Sequence, residues 1–198
     1  MNDEPVTATA LVHAEYHFFQ ITDPQRPLAG DLDATRNGLV SAVGGVIEVA
    51  TGIHTGNVRV RVALHSRRPG PAAGWEEIAE MSWHSLSGEV LVTPMDDSAD
   101  LPSLASQGPG RYRLRVHARG RDTALDQATD DVVESYLIQS WPAVHEDALL
   151  VKATDAYGAQ VRAQSANDII VINHEDSLGT QTGRERDILR RAPQGDYS

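Results

Sequence analysis

The feature that most constrains this chain is a period-two alternation of apolar and polar residues, interrupted again and again by glycine and proline. In 57–66, NVRVRVALHS, Val58, Val60, Val62 and Leu64 fall on one face and Arg59, Arg61 and His65 on the other. In 111–118, RYRLRVHA, Tyr112, Leu114 and Val116 alternate with Arg111, Arg113, Arg115 and His117. Successive side chains of an extended strand point to opposite faces, so each run reads as a strand with one face buried. No strongly amphipathic helical stretch separates these runs.

Less sharply patterned segments complete the series. Residues 10–21 carry Tyr16, Phe18 and Phe19, and read as one strand. Residues 38–43 and 45–51 meet at Gly44-Gly45, which predicts a hairpin. Residues 75–84 place Trp75, Ala79, Met81 and Trp83 on one parity, 88–93 follow the Ser87-Gly88 turn, and 134–141 run to Pro142. Turns at Arg68-Pro69-Gly70-Pro71 and Gly108-Pro109-Gly110 punctuate the rest. Short strands joined by such turns predict an all-β fold, an antiparallel β-sandwich of about eight strands, over residues 1–152. Residues 153–198 read as a short C-terminal extension, with one strand at Ile169–Ile172 and a short helix in RERDILRRA.

The formal net charge of −11 bears on partners. An acidic surface repels nucleic-acid phosphates and anionic membranes and attracts basic proteins. The chain has no cysteine, which removes disulfides, zinc thiolates and thiol nucleophiles. Its N-terminus lacks the basic and apolar regions of a secretory signal, and no segment reaches the ~18 apolar residues of a membrane span. The expected location is the cytoplasm.

The acids concentrate in loops: Asp31 and Asp33; Asp96, Asp97 and Asp100; and Asp122, Asp126, Asp130 and Asp131, with Glu134 just after. Aspartate favours turns because its side chain caps local amides, and this alone accounts for the distribution. If such loops cluster at one end of a sandwich, they form an acidic rim for a basic protein. Neither loop has the spacing of an EF-hand. The arginines sit instead on strand faces. Arg59, Arg61, Arg113 and Arg115 are expected on a solvated face, with glutamates such as Glu77, Glu80 or Glu134 interleaved to relieve like-charge repulsion.

Catalytic motifs are scarce. The eight histidines show no HxH or HExxH spacing, and there is no GxSxG, P-loop or dinucleotide fingerprint. His13 and His17 share a strand parity but lie ~13 Å apart on one strand. His65, His84 and His117 come from three strands and are the candidates for a convergent enzymatic site. Trp75 and Trp83, eight residues apart, would form a sugar platform if exposed and part of the core if not. No cofactor is expected.

The order of segments carries a resemblance. AEYHFFQITD is followed by a glycine-rich turn and a strand pair, then NVRVRVAL, EIAEMSW and GEVLVTP. GPGRYRLRVHARG comes next, then an acidic loop and ESYLIQSWPA. Over roughly residues 10–152 this resembles the competence protein J family, β-sandwich proteins whose characterised role is to inhibit a partner nuclease. The resemblance rests on turns and strands and assigns no functional residue. It implies a non-catalytic, protein-binding inhibitor of the immunity type, with a basic nuclease as partner. Asp96, Asp97, Asp100, Asp122, Asp126, Asp130 and Asp131 are then the expected partner-binding residues. The alternatives are an enzyme or ligand-binding sandwich built on dispersed His and Asp, and a structural homo-oligomer.

Overall fold

The computed structural model describes residues 4–25, 37–43, 45–93 and 99–164. The chain divides into two compact units, Met1–Arg162 and Ala163–Ser198. The strands, and the start of the one helix among the described residues, belong to the first. The expected strand at Ile169–Ile172, the expected helix after it, and Asp31, Asp33, Asp96 and Asp97 lie outside the described residues.

Eleven strands are present among the described residues: β1 Val6–Ala14, β2 Phe18–Thr22, β3 Val40–Val43, β4 Val46–Ala50, β5 Thr55–Leu64, β6 Glu77–Ser85, β7 Leu91–Thr93, β8 Gly110–Arg119, β9 Ala128–Thr129, β10 Ser135–Pro142 and β11 Leu149–Ala153. A short helix, α1, covers 156–164. The large sheet has the order β1-β5-β10-β8-β6-β11, with β9 beside β5, and the small sheet the order β3-β4-β2-β7. The fold is all-β, as the alternation requires. The large sheet is mixed, however, because β10 and β9 both run parallel to β5.

The strand count exceeds the expected eight for identifiable reasons. The single strand expected over 10–21 is two, β1 and β2, folded back at Tyr16-His17. β9 and β11 have no alternation to betray them. The Gly44-Gly45 hairpin is confirmed as the antiparallel pair of β3 and β4.

One hydrophobic cluster draws on both sheets, with Val12, Val58, Val60, Met81, Leu114, Val116 and Ile138 from the large sheet and Phe19, Ile21, Ile47, Val49 and Val92 from the small one. Phe19 of β2 meets Tyr136 of β10 edge to face at 5.2 Å, a favoured aromatic geometry. Trp83 is also in the core, stacked on Tyr112 at 4.9 Å. That removes Trp83 from a sugar platform. Trp75 precedes β6 and lies on the opposite side of the sheet, with its ring 5.6 Å from His117.

The outer face of β6 and β8 corrects the expectation of a solvated arginine face. Arg113, Arg115 and His117 are buried. Glu80 lies between the two arginines, accepting from Arg113 Nε at 3.1 Å and Arg115 Nε at 2.6 Å, while Arg68 Nη2 shares Oε2 with Arg113 at 2.9 Å. Burial alone would push the Glu80 carboxyl up. The hydrogen bonds and charges of Arg115, Arg113 and Arg68 reverse this and hold it below its ordinary value. Segments 66–76 and 143–148 help to cover the face. Arg115 donates to the Pro69 carbonyl at 3.0 Å, and Arg113 to those of Glu146 at 2.7 Å and Asp147 at 2.8 Å. Of the three glutamates expected to interleave, only Glu80 does so. Arg59 and Arg61 remain exposed as expected.

Candidate functional site

The loop between β8 and β10, residues 120–134, carries four of the expected binding residues, and its shape follows from how its ends are held. Gly120 is left-handed (φ +85°), and a Cβ there would lie 2.4 Å from the Val133 carbonyl oxygen, so the loop closes tightly on itself. Arg121 turns inward and is fully buried. It grips Asp155 with two bonds, Nε to Oδ2 at 2.7 Å and Nη2 to Oδ1 at 2.9 Å, and donates to the carbonyls of Gly38 at 3.0 Å and Ala50 at 3.3 Å. Tyr157 of α1 lies against its guanidinium at 5.2 Å. A planar fork meeting a carboxylate in this way is the strongest of the ordinary ion-pair geometries.

Beside Arg121 is a second buried acid. Glu134 accepts from the Ile53 amide at 2.6 Å, the Gly52 amide at 3.3 Å and the Tyr136 hydroxyl at 2.5 Å. Burial pushes its carboxyl up, although these hydrogen bonds and Arg121 oppose the shift. Burial likewise pushes up Glu77, with the Asp155 charge adding and the bond from Arg162 opposing. The Tyr157 hydroxyl is pushed up to about 12, first by burial. Glu134 was grouped with the acidic loop on sequence. It points instead into the protein and ties β10 to the 51–54 turn.

These anchors present the middle of the loop to solvent. Asp122 is used locally, accepting the amides of Ala156 and Tyr157, both at 2.9 Å, and so capping α1. Asp126 is left-handed (φ 59°) and accepts from His17 Nε2 at 3.1 Å, while its own amide donates to the Gly52 carbonyl at 2.9 Å. Asp130 and Asp131 are exposed, and neither carboxylate has an ion pair among the described residues. Asp100 is also exposed, and no bond or ion pair among the described residues joins it to this loop.

The β1–β2 turn completes the surface. Glu15 and Phe18 exchange backbone hydrogen bonds at 3.1 and 3.2 Å around Tyr16 (φ 52°) and His17 (φ 69°). This two-residue loop with both φ positive is a type I′ turn, which Asn-Gly normally occupies. His17 packs edge-on to His54 at 5.0 Å and stacks on Tyr157 at 6.0 Å. Tyr16 meets His54 at 5.5 Å, with 63% of its surface still exposed. Tyr16, His17 and Asp126 are the three left-handed non-glycine residues among the described ones, and the latter two touch. In that geometry His17 Nδ1 is buried without a partner.

No motif in the sequence marks Tyr16, His17 or His54 as neighbours of the acidic loop. One signal was available. Buried Val12 and Ala14 are even-numbered and buried Phe19 and Ile21 odd-numbered, and a parity switch of that kind demands a turn between them.

The convergent-histidine site is contradicted by register. His117 is opposite Ile78 and His84 opposite Arg111 on the β6–β8 ladder, six residues and roughly 20 Å apart. His117 is also fully engaged, accepting from the Ala72 amide at 3.3 Å and donating to the Leu137 carbonyl at 3.1 Å. Burial, with Arg115 adding, lowers its pKa to about 4. No group of three or more His, Asp or Glu among the described residues is placed to hold a metal ion. Nor is any helix among them long and apolar enough to cross a membrane.

No family model matches the sequence, and no curated protein matches it. Two solved structures do. One is ComJ, inhibitor of the DNA degrading activity of NucA, from Bacillus subtilis, with a TM-score of 0.46 and 15% identity, covering 70% of this chain and 96% of that one. The other is described as crocagin biosynthetic gene J, with a TM-score of 0.42 and 13% identity, covering 70% of this chain and 99% of that one.

Proposed function

We propose that this chain is a non-catalytic binding protein, an inhibitor of the immunity type, that engages a basic partner through the 120–134 loop and the adjoining Tyr16-His17 turn. In this reading the two sheets form a sandwich that serves as a frame. The observation that carries it is the contrast between inner and outer charges. The buried arginines Arg113, Arg115 and Arg121 are matched by buried carboxylates, whereas Asp130 and Asp131 stand exposed on an anchored loop with no ion pair among the described residues. Exposed Tyr16 and Leu125 supply the apolar contact beside them. An aromatic anchor flanked by charge is the usual composition of an interface hot spot. Asp96, Asp97 and Asp100 are proposed as further partner-binding residues. A nuclease as the partner comes from the family resemblance, and a nuclease surface built for phosphates would accept such carboxylates.

The test is an affinity capture from the source lysate at low and high salt, with the wild type and with Asp130→Asn/Asp131→Asn. A basic protein retained at low salt, released by high salt and lost with the double variant supports the proposal. Undiminished capture by the double variant refutes the role of this loop.

A further inference from the structure

The large sheet ends on one side in β1 and on the other in β11, and the two edges are built differently. β11 carries a register shift between Leu150 and Lys152, and Lys152 itself sits on the strand. Bulges and lysines are two of the devices by which sheet edges resist further pairing. β1 has neither. Its nine residues, VTATALVHA, pair with β5 in unbroken register from Val6–Leu64 to Ala14–Gly56. The strand has no proline, lysine, arginine or carboxylate. On its other side it has no strand partner among the described residues.

The surface beside this edge is also distinctive. Arg59 and Arg61 are exposed on the outer face of β5, and neither has an ion pair or side-chain hydrogen bond among the described residues. Their cross-strand neighbours are Leu11 and Thr9 on β1, and Ser135 and Leu137 on β10. None of these four neighbours is a carboxylate, in a chain whose formal charge is −11. Leu11, opposite Arg59, is 52% exposed.

We propose that the outer edge of β1 receives an extended acidic segment of another protein as an added strand, read by Arg59 and Arg61. Main-chain hydrogen bonds to β1 supply the affinity, as in other strand-addition complexes. Arg59 and Arg61 are two residues apart and face one way, so they select carboxylates at alternate positions of the added strand. The short side chain of Thr9 leaves Arg61 room to reach over β1. Leu11, on the same face as the two arginines, offers an apolar contact to the aliphatic stem of the acid beside it. The overall negative charge does not prevent this at physiological ionic strength, where the screening length is about 8 Å and local pairs dominate. Its occupant has the opposite charge to the partner proposed for the acidic loop.

The test uses two synthetic nine-residue peptides, one alternating valine and glutamate and one alternating valine and lysine. Titration calorimetry at physiological salt is combined with hydrogen exchange over residues 6–14. The expected result is binding of the glutamate peptide at least tenfold tighter than the lysine peptide, with amides of β1 protected only in the complex. Arg59→Glu/Arg61→Glu, at exposed positions, keeps the melting temperature and inverts the preference. Absence of binding, or equal binding of both peptides, overturns the proposal. So does a free protein that sediments as a dimer with β1 already protected, because a second copy then holds the edge.

Discussion

Tyr16 and His17 hold a backbone conformation that costs bulky residues about 1–3 kcal/mol each. They do so beside Asp126, which carries the same kind of strain. Strain of this sort persists where a particular side-chain placement is required, here an exposed tyrosine and a histidine bonded to the acidic loop. Tyr16→Asn/His17→Gly installs the preferred type I′ pair. It is expected to raise stability by about 1 kcal/mol in thermal or denaturant unfolding, while weakening partner binding. A loss of stability would show that the turn is not under strain. His117 gives a prediction with a definite sign. Its pKa is about 4 in the fold against 6.5 unfolded, so between these values the unfolded chain binds more protons. Stability from this group is full above pH 6.5 and is lost as pH falls toward 4, by roughly 3 kcal/mol in total. His117→Gln should remove that component, which is read by comparing unfolding free energies of the two proteins at pH 7 and pH 4. Protonation would also turn His117 Nε2 into a donor facing the Ala72 amide. Protection factors in 66–76, corrected for intrinsic exchange at each pH, should therefore fall as pH drops over the same interval in the wild type.

At the level of elements, the acidic loop is only as rigid as the buried bonds behind it. Arg121 links the loop to Gly38, Ala50 and Asp155, and so to β3, β4 and α1. Arg121→Met leaves Asp155 buried without its partner, and is expected to cost about 3–5 kcal/mol in denaturant unfolding. Adding Asp155→Asn should cost less than the two single losses together, because the pair acts as a unit. Additive losses would separate the two residues energetically. Strand β8, which leads into this loop, was legible in the sequence, as was β5, because both alternate cleanly and glycine and proline mark their ends. β9 was not, being two residues held by its pairing with β5, nor was β11, whose five residues are all exposed. Alternation tells which residues share a face and says nothing about what covers it. Arg113 and Arg115 therefore read as solvated, although 66–76 and 143–148 cover them. The parallel pairing of β5 and β10 depends on residues over seventy positions apart, and no local pattern encodes it. The site was legible in part. Aspartates marked the loop, but only the fold separates Asp122, spent on capping α1, from Asp130 and Asp131, which remain available.

Among the described residues, the buried arginines are a minority that buried carboxylates already match. Arg113, Arg115 and Arg121 lie inside with Glu80, Glu77, Glu134 and Asp155, so the interior cations cannot offset the exterior acids for an approaching protein. The long-range field is therefore negative, and a basic partner should be steered toward the chain faster than an uncharged one. Rim charges act chiefly on encounter, and buried anchors on residence. Asp130→Asn/Asp131→Asn takes the formal charge from −11 to −9 and removes two carboxylates without touching the core. The expected outcome with the captured partner is a several-fold lower association rate at low salt, with the dissociation rate little changed. The gap to wild type should close as ionic strength rises and the screening length shortens. Tyr16→Ala should do the reverse, leaving association nearly unchanged and speeding dissociation. Stopped-flow or surface-resonance kinetics over a salt series distinguish the two. If the double aspartate variant changes dissociation and not association, these carboxylates are buried contacts and not a steering rim. The partner would then have to seat directly on the 130–131 turn.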